Sequence, residues 1–384
     1  MSKPDTRPGN ANFSSGPCTK HPGWRIADLA GALVGRSHRS KPAKAKLALV
    51  IENCCAVLGL PDDYRIGIMP ASDTGAFEIA LWSMLGDRGV DVLAWESFGH
   101  AWASDTMKHL GLDDVRLFEA AYGELPNLAS VDCDRDVVTV WNGTTSGVRL
   151  PHGDWIAADR AGLVFCDATS AAFAMKLPWD RLDVTSFSWQ KALGGEAAHG
   201  MLILSPRAVA RLESYTPPWP LPKLFRLTKG GRLNAGLFRG ETINTPSMIC
   251  VEDMLDALSW AVAVGGLDGM IARSEANLAA VAAWVEASPW AAFLAAAPET
   301  RSCTSICLSI VSPWFEGLVP EDQALAAGRL AGLLGEEGVA FDIEPHRDAP
   351  PGLRIWGGAT VETADIEALL PWLDWAYGQI ARTD

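Results

Sequence analysis

The chain has 384 residues, 48% of them hydrophobic and 20% charged, with mean hydropathy +0.09. That is the make-up of a folded protein able to bury a large core, and it excludes a disordered or fibrous chain. Its 32 Lys and Arg against 46 Asp and Glu give a formal charge of −14, a field that repels the phosphate backbone, so no nucleic-acid partner is expected.

The same field repels small anions, so a local cluster of basic residues carries more information here than on a basic protein. The opening MSKPDTRPGNANF has no apolar signal core, and no apolar run approaches the roughly 20 residues of a membrane span. A cytoplasmic protein with no membrane partner is expected. Eight Cys, at 18, 54, 55, 133, 166, 250, 303 and 307, show neither CxxC nor paired zinc spacing. They read as reduced, buried thiols, and no metal is expected.

In chain order, RIGIM (65–69) precedes the helical pattern AFEIALWSML (76–85), and DVLAW (91–95) precedes a segment in the 100s. DVVTVW (136–141) precedes HGDWIAADRAG (152–162), read as the next helical segment, and then come LVFCDAT (163–169), DVTSFSW (183–189) and HGMLILS (199–205). Apolar runs alternating with helices predict an α/β fold whose mostly parallel sheet is covered by helices. Right-handed crossovers then put the loops after the strands on one edge, where ligands bind. TPPWPLPKLF (216–225) is too rich in proline for regular structure. Beyond Met248 the pattern turns helical, with Leu278, Val281, Ala282 and Val285 on one face. SICLSIV (305–311), a helix opened by Pro320, FDIE (341–344) and LRIWGG (353–358) predict a small α/β lobe. The expected division is a large domain over 20–260 and a small one over 261–384, with residues 1–19 packed on the latter.

Several strand ends carry chemistry. Lys191, in Ser188-Trp189-Gln190-Lys191 before Gly194-Gly195, is either a solvated loop lysine or a nucleophilic amine at the carboxyl end of a strand. Asp167 closes an apolar strand, where an unpaired carboxylate is costly; it either caps the next helix or keeps a pyridine nitrogen protonated. An Asp and a Lys in these places are what a pyridoxal phosphate (PLP) site needs. Ser72 and Thr74, in Pro70-Ala71-Ser72-Asp73-Thr74-Gly75, cap a helix or bind a phosphate at its N-terminus. Trp102 packs in the core or stacks on a planar ring. Thr144 makes a turn or bonds a ring substituent. The chain lacks GxGxxG and GxxxxGK[ST], which argues against a nicotinamide oxidoreductase or a P-loop NTPase.

Taken together with Asn12-Phe13-Ser14-Ser15-Gly16-Pro17, Ser37-His38-Arg39-Ser40, Thr242-Ile243-Asn244-Thr245-Pro246, Pro345-His346-Arg347 and Leu353-Arg354-Ile355-Trp356, these segments resemble the phosphoserine aminotransferase family. These are class V, fold-type I PLP enzymes. The resemblance covers nearly the whole chain. It implies a seven-stranded-type sheet, and a homodimer whose active sites are shared between subunits. It further implies Lys191 as the Schiff-base lysine and Asp167 at the pyridine nitrogen, with Trp102 on the ring and Thr144 on its hydroxyl side. Gln190 and Ser72, Asp73 and Thr74 fall around the PLP phosphate, with Asn244 and Thr245 reaching the neighbouring subunit's cofactor. Lys191, Asp167 and Trp102 are thereby the catalytic set. Ser15, His38, Arg39, His346, Arg347 and Arg354 are implied for substrate, Arg354 on the α-carboxylate and the two His-Arg pairs on a distal phosphate. The cup Ala-Ser-Asp-Thr-Gly departs from the glycine- and arginine-containing bacterial form and matches a branch of archaeal or alphaproteobacterial type.

The His-Arg pairs also stand out on charge alone. Arg forks an anion bidentately and His adds a charge-assisted bond near neutral pH, whereas exposed ion pairs contribute only about 0–1 kcal/mol. The reaction implied is amino transfer from L-glutamate to 3-phosphohydroxypyruvate, giving O-phospho-L-serine and 2-oxoglutarate. A side role at the 3-hydroxy-4-phosphohydroxythreonine step of PLP synthesis is a further expectation. A serine–pyruvate or alanine–glyoxylate type aminotransferase would share the PLP residues without needing two His-Arg pairs, and a non-catalytic PLP-binding protein could retain the fold. A cysteine desulfurase would need a mobile thiol, but Cys303 and Cys307 lie in or beside an apolar strand pattern. His21, His100, His109, His152 and His199 are assigned no role.

Overall fold

In the computed structural model, which describes residues 2–381, the apolar runs become β1 (Arg65–Pro70), β2 (Val90–Ala94), β3 (Val115–Glu119), β4 (Asp136–Val140), β5 (Val164–Asp167), β6 (Val184–Ser188) and β7 (His199–Leu204). They form one sheet in the order β1-β7-β6-β5-β4-β2-β3. The β2/β3, β2/β4, β4/β5 and β5/β6 pairs are parallel, and β7 runs antiparallel to both its neighbours. Every residue of β2, β4, β6 and β7 is buried, as continuous apolar strands require when helices cover both faces. The expected mostly parallel sheet is therefore present.

The covering helices are α1 (Lys41–Leu58), α2 (Ser72–Met84), α3 (Ser97–Ser104), α4 (Pro206–Ser214), α5 (Met248–Ala263) and α6 (Gly266–Ala287). Helix α1 opens with proline in its first turn and stops at Gly59, whose φ of 63° is left-handed. A second, three-stranded antiparallel sheet holds β8 (Ala291–Phe293), β9 (Ser305–Ile310) and β10 (Gly352–Trp356), packed with α7 (Pro320–Glu336) and α8 (Thr363–Ile380).

The apolar side chains gather into two cores. One surrounds the large sheet, and the other joins Leu330, Leu334, Ile355, Trp356 and Trp372 to Phe13 and Cys18 from the amino end. Helix α6 gives Met270 to the first and Val281 to the second, so one helix spans both cores. Residue 1 and residues 382–384 of the expected domain ranges lie outside the described residues. Among the described residues, no helix is long and apolar enough to cross a membrane.

Three local expectations fail for identifiable reasons. Residues 152–162 form turns rather than a helix. The Ala157 carbonyl accepts from the Arg160 guanidinium at 3.1 Å and the Ala161 N–H goes to Asp134 at 2.9 Å, so the helical bond between 157 and 161 is replaced at both ends. FDIE contributes one bridge, Asn12 to Phe341, not a strand. Edge strand β3 was not anticipated, because none of its residues is fully buried and it lacks a continuous apolar run.

Candidate active site

At the carboxyl ends of β1, β4, β5 and β6 lies a cavity of about 220 Å³ lined by Gly16, Ser72, Asp73, Thr74, Trp102, Thr144, Asp167, Gln190 and Lys191. Two larger, more open grooves, of about 600 and 500 Å³, lie at residues 10–24 and between Arg149 and Glu275. Neither contains a lysine and a carboxylate at strand ends.

Lys191 follows β6 and is 9% exposed, with its Nζ donating to the Ser15 carbonyl. That approach needs Gly16, since a Cβ there would stand 2.5 Å from Nζ. Burial pulls the amine below the usual lysine range and Arg354 adds to this, against the opposing pull of Cys18, Asp167 and Asp73.

Asp167 ends β5, in register with Val140 and Ser186 on the flanking strands. Its Oδ1 accepts the Thr169 N–H at 2.9 Å and its Oδ2 the Trp102 indole N–H at 3.0 Å. One oxygen thus closes a local turn while the other serves the cavity wall. Trp102, in α3, is 5% exposed and meets Phe77 edge-on at 4.8 Å. Thr144 is buried and donates to the Ser170 hydroxyl at 2.8 Å.

Between β1 and α2 the backbone turns through left-handed Ala71 (φ 62°) and Ser72 (φ 54°). Such strain in non-glycine residues persists only where the surroundings enforce it. Gly75 is needed too, because a Cβ there would stand 2.2 Å from the Pro70 carbonyl oxygen. The turn brings the N-terminus of α2 to the cavity, with Thr74 exposed. Asp73 behaves otherwise: its side chain lies against Asp167, Ser186 and Thr169, toward the carboxylate end expected for the ring nitrogen.

Arg354 is half-buried in β10 with its Nε unpartnered. His346 Nδ1 meets the Ser97 hydroxyl at 3.1 Å, and its ring lies 6.2 Å from that of Phe98, which lines the cavity. Arg347 is exposed and pairs with Asp348 at 3.8 Å. His38 and Arg39, before α1, and the exposed Asn244 and Thr245, before α5, do not line the cavity within one chain.

Sequence reasoning missed Glu96, one residue past Trp95. It is fully buried and accepts from Gly99 N–H at 2.8 Å, Thr145 N–H at 3.2 Å and the Thr145 hydroxyl at 2.8 Å. Burial pushes its carboxyl up to about 7, against the pull of those bonds. The signal was available, because Glu96 closes an apolar strand as Asp167 does. His199 also has a place: its Nε2 accepts the Ser247 N–H at 3.3 Å, tying β7 to the segment after Asn244-Thr245, and burial pulls its pKa down to about 4.

The donor set fits a phosphorylated pyridine aldehyde. It offers a buried primary amine, a hydrogen-bonded acid across the cavity, a helix N-terminus for an anion, and buried polar atoms at Gln190 Oε1 and Arg354 Nε that still lack partners. Fold and cavity together follow the plan of the fold-type I PLP-dependent transferases.

No protein-family model matches the chain. It is 59% identical over 375 residues to a phosphoserine aminotransferase of Methanosarcina mazei, covering 98% of this chain and 99% of that one. To its counterpart in Methanosarcina barkeri it is 58% identical, covering 98% of this chain and 100% of the other. The chain belongs to the phosphoserine aminotransferase family, whose members are PLP-dependent transaminases. Among solved structures, a phosphoserine aminotransferase from Cytophaga hutchinsonii shares the fold with a TM-score of 0.80 at 20% identity, covering 95% of this chain and 98% of that one. A PLP-bound phosphoserine aminotransferase from Trichomonas vaginalis does so with a TM-score of 0.76 at 17% identity, covering 95% and 99%.

Proposed function

We propose that this chain transfers the amino group of L-glutamate to 3-phosphohydroxypyruvate, forming O-phospho-L-serine and 2-oxoglutarate in serine biosynthesis. The observation that carries the reading is Lys191 and Asp167 facing one cavity, in a chain whose relatives named phosphoserine aminotransferase match it end to end. PLP, when bound, supplies an electron sink for the charge left at the substrate Cα.

The protein's own residues do the rest. The Lys191 amine, depressed by burial and therefore closer to its free-base form, takes and returns the Cα proton. Asp167 presents a fixed carboxylate to the ring nitrogen, and Trp102, bonded to Asp167, holds one wall. Gln190, Ser72 and the first turn of α2 take the cofactor phosphate. Arg354 takes the α-carboxylate common to both substrates, while His346 and Arg347 take the distal anion.

His38, Arg39, Asn244 and Thr245 complete the site of a second copy in a homodimer, which is why one chain leaves them outside its own cavity. We further propose a cytoplasmic location, a division near residues 260–261 into cofactor and small domains, and a side role at the 3-hydroxy-4-phosphohydroxythreonine step of PLP synthesis. A coupled assay of purified protein with PLP, glutamate and either 3-phosphohydroxypyruvate or its unphosphorylated ketoacid tests the reading. A clear preference for the phosphorylated acceptor is expected; equal use of both would point to another class V aminotransferase.

A further inference from the structure

The cup residue Asp73 sits where a second carboxylate has no evident use. It is 6% exposed, and Ser188 fixes its backbone by accepting its N–H at 2.8 Å. Its buried Oδ1 accepts no N–H, and among the described residues no Lys or Arg forms an ion pair with it, so an anion there would have only neighbouring hydroxyls for support. Around it stand the Asp167 carboxylate and the Thr169 and Ser186 hydroxyls, and both hydroxyl oxygens are themselves buried without a partner.

The two acids are not equivalent. Asp167 already accepts two N–H donors, one on each oxygen, so its charge is supported. Two carboxylates side by side cannot both ionise cheaply, and the proton goes to the one with less support. The first turn of α2 favours an anion at Asp73 through the helix dipole. A buried charge with no cationic partner costs more than that dipole returns.

We infer that Asp73 is a positioning residue that keeps a proton and donates it to Asp167, fixing Asp167 as the single anion on the cavity floor. The Thr169 and Ser186 hydroxyls then donate to the remaining Asp73 oxygen, which gives all three orphaned groups partners. The other titratable groups near the pair are Lys191 across the cavity, Cys166 beside Asp167 on β5, and Glu96, whose carboxyl is raised in part by the Asp167 charge. Burial and then Asp167 push the Asp73 carboxyl well above the usual carboxylate range, in agreement with the geometry.

The role rests on the reading of Asp167 as partner of the ring nitrogen, but the proton itself is measurable without cofactor. In the apoprotein at pH 8.5, infrared spectra should show the carbonyl stretch of a protonated carboxyl that shifts on ¹³C-aspartate labelling and vanishes in Asp73→Asn. A wild-type apoprotein without an aspartate-dependent band overturns the inference, and needs no variant to do so. PLP titration by tryptophan fluorescence gives the second measurement. Asp73→Asn, neutral and still a donor, should bind within about threefold of wild type, while Asp73→Ala should bind at least about tenfold more weakly, the loss of one hydrogen bond to a charged group. Equal weakening in both variants overturns the positioning role. Failure of the wild-type protein to bind PLP at all would instead sink the cofactor reading and leave the infrared band standing.

Discussion

The two ends of β2 treat a buried acid in opposite ways. At the amino end Asp91 is fully buried, yet Arg116 and Arg135 reach it at 2.5–2.8 Å. Burial pushes that carboxyl up, the bonds from Arg116, the Asp132 N–H and Arg135 outweigh it, and the pKa ends below its ordinary value. Just past the carboxyl end, Glu96 has only N–H and O–H donors, and its pKa ends at about 7.

The contrast holds along the sheet. Asp136, opening β4, is forked by Arg211 at 2.8 and 3.2 Å, and Asp183, before β6, is held by Arg160 and Arg207. Asp73, Asp167 and Glu96 at the other edge have no cation bonded to them among the described residues. One edge closes its electrostatics within the protein, and the other leaves donors and charges for a ligand to complete.

The largest effects should come at the open edge. Lys191→Ala should lower amino-transfer turnover by at least ~10²–10⁴-fold, the range of general acid–base catalysis alone. It should also remove the visible absorption of the PLP-loaded protein while changing the urea midpoint little. Retained turnover and colour would break the assignment. At the closed edge the pattern should reverse. Arg211→Ala strands Asp136 as a buried unpaired anion and should cost about 3–5 kcal/mol of stability, read from urea unfolding, with turnover per folded molecule unchanged. If that variant lost turnover at full stability, the two edges would not be separable.

A smaller effect is expected at the two arginines proposed for the distal phosphate. Arg347→Ala or Arg39→Ala should lower kcat/KM for 3-phosphohydroxypyruvate by about tenfold or more, the worth of a charge-assisted bond of ~1.5–3 kcal/mol. The unphosphorylated ketoacid should lose much less. Equal losses would remove the phosphate role.

Much of the open edge was legible because its logic is local. An apolar strand that ends in an acid or a lysine announces a cost that folding must offset, and Asp167 and Lys191 could be read that way. Glu96 carried the same mark but its partner Thr145 lies 49 positions away, a distance no local pattern spans. Asp73 was readable as part of a cup, yet a first-turn residue can aim its backbone at one ligand and its side chain elsewhere. The closed edge was invisible for the same reason: Arg211 and Asp136 are 75 positions apart. His38, Arg39, Asn244 and Thr245 stand outside their own chain's cavity, the position required of residues proposed to complete the site of a second copy.

The contrast on β2 itself can be broken by pH. Glu96 releases its proton near 4.5 when unfolded and near 7 when folded. Between those values the native state binds more protons than the unfolded one, so this residue's contribution to stability is full below pH 4.5 and declines as pH rises through about 7. The slope cannot exceed one proton, ~1.4 kcal/mol per pH unit. His199, depressed to about 4, acts in the opposite sense, its contribution being present above 6.5 and lost as pH falls toward 4, so the raw stability profile mixes the two. Subtracting the urea midpoints of Glu96→Gln from wild type at pH 5, 6, 7 and 8 isolates Glu96. The difference should shrink in wild type's disfavour from pH 5 to 7 and then level off. A flat difference would mean that Glu96 is ionised throughout, its carboxylate supported by the Gly99 and Thr145 donors alone as fully as Asp91 is by its arginines.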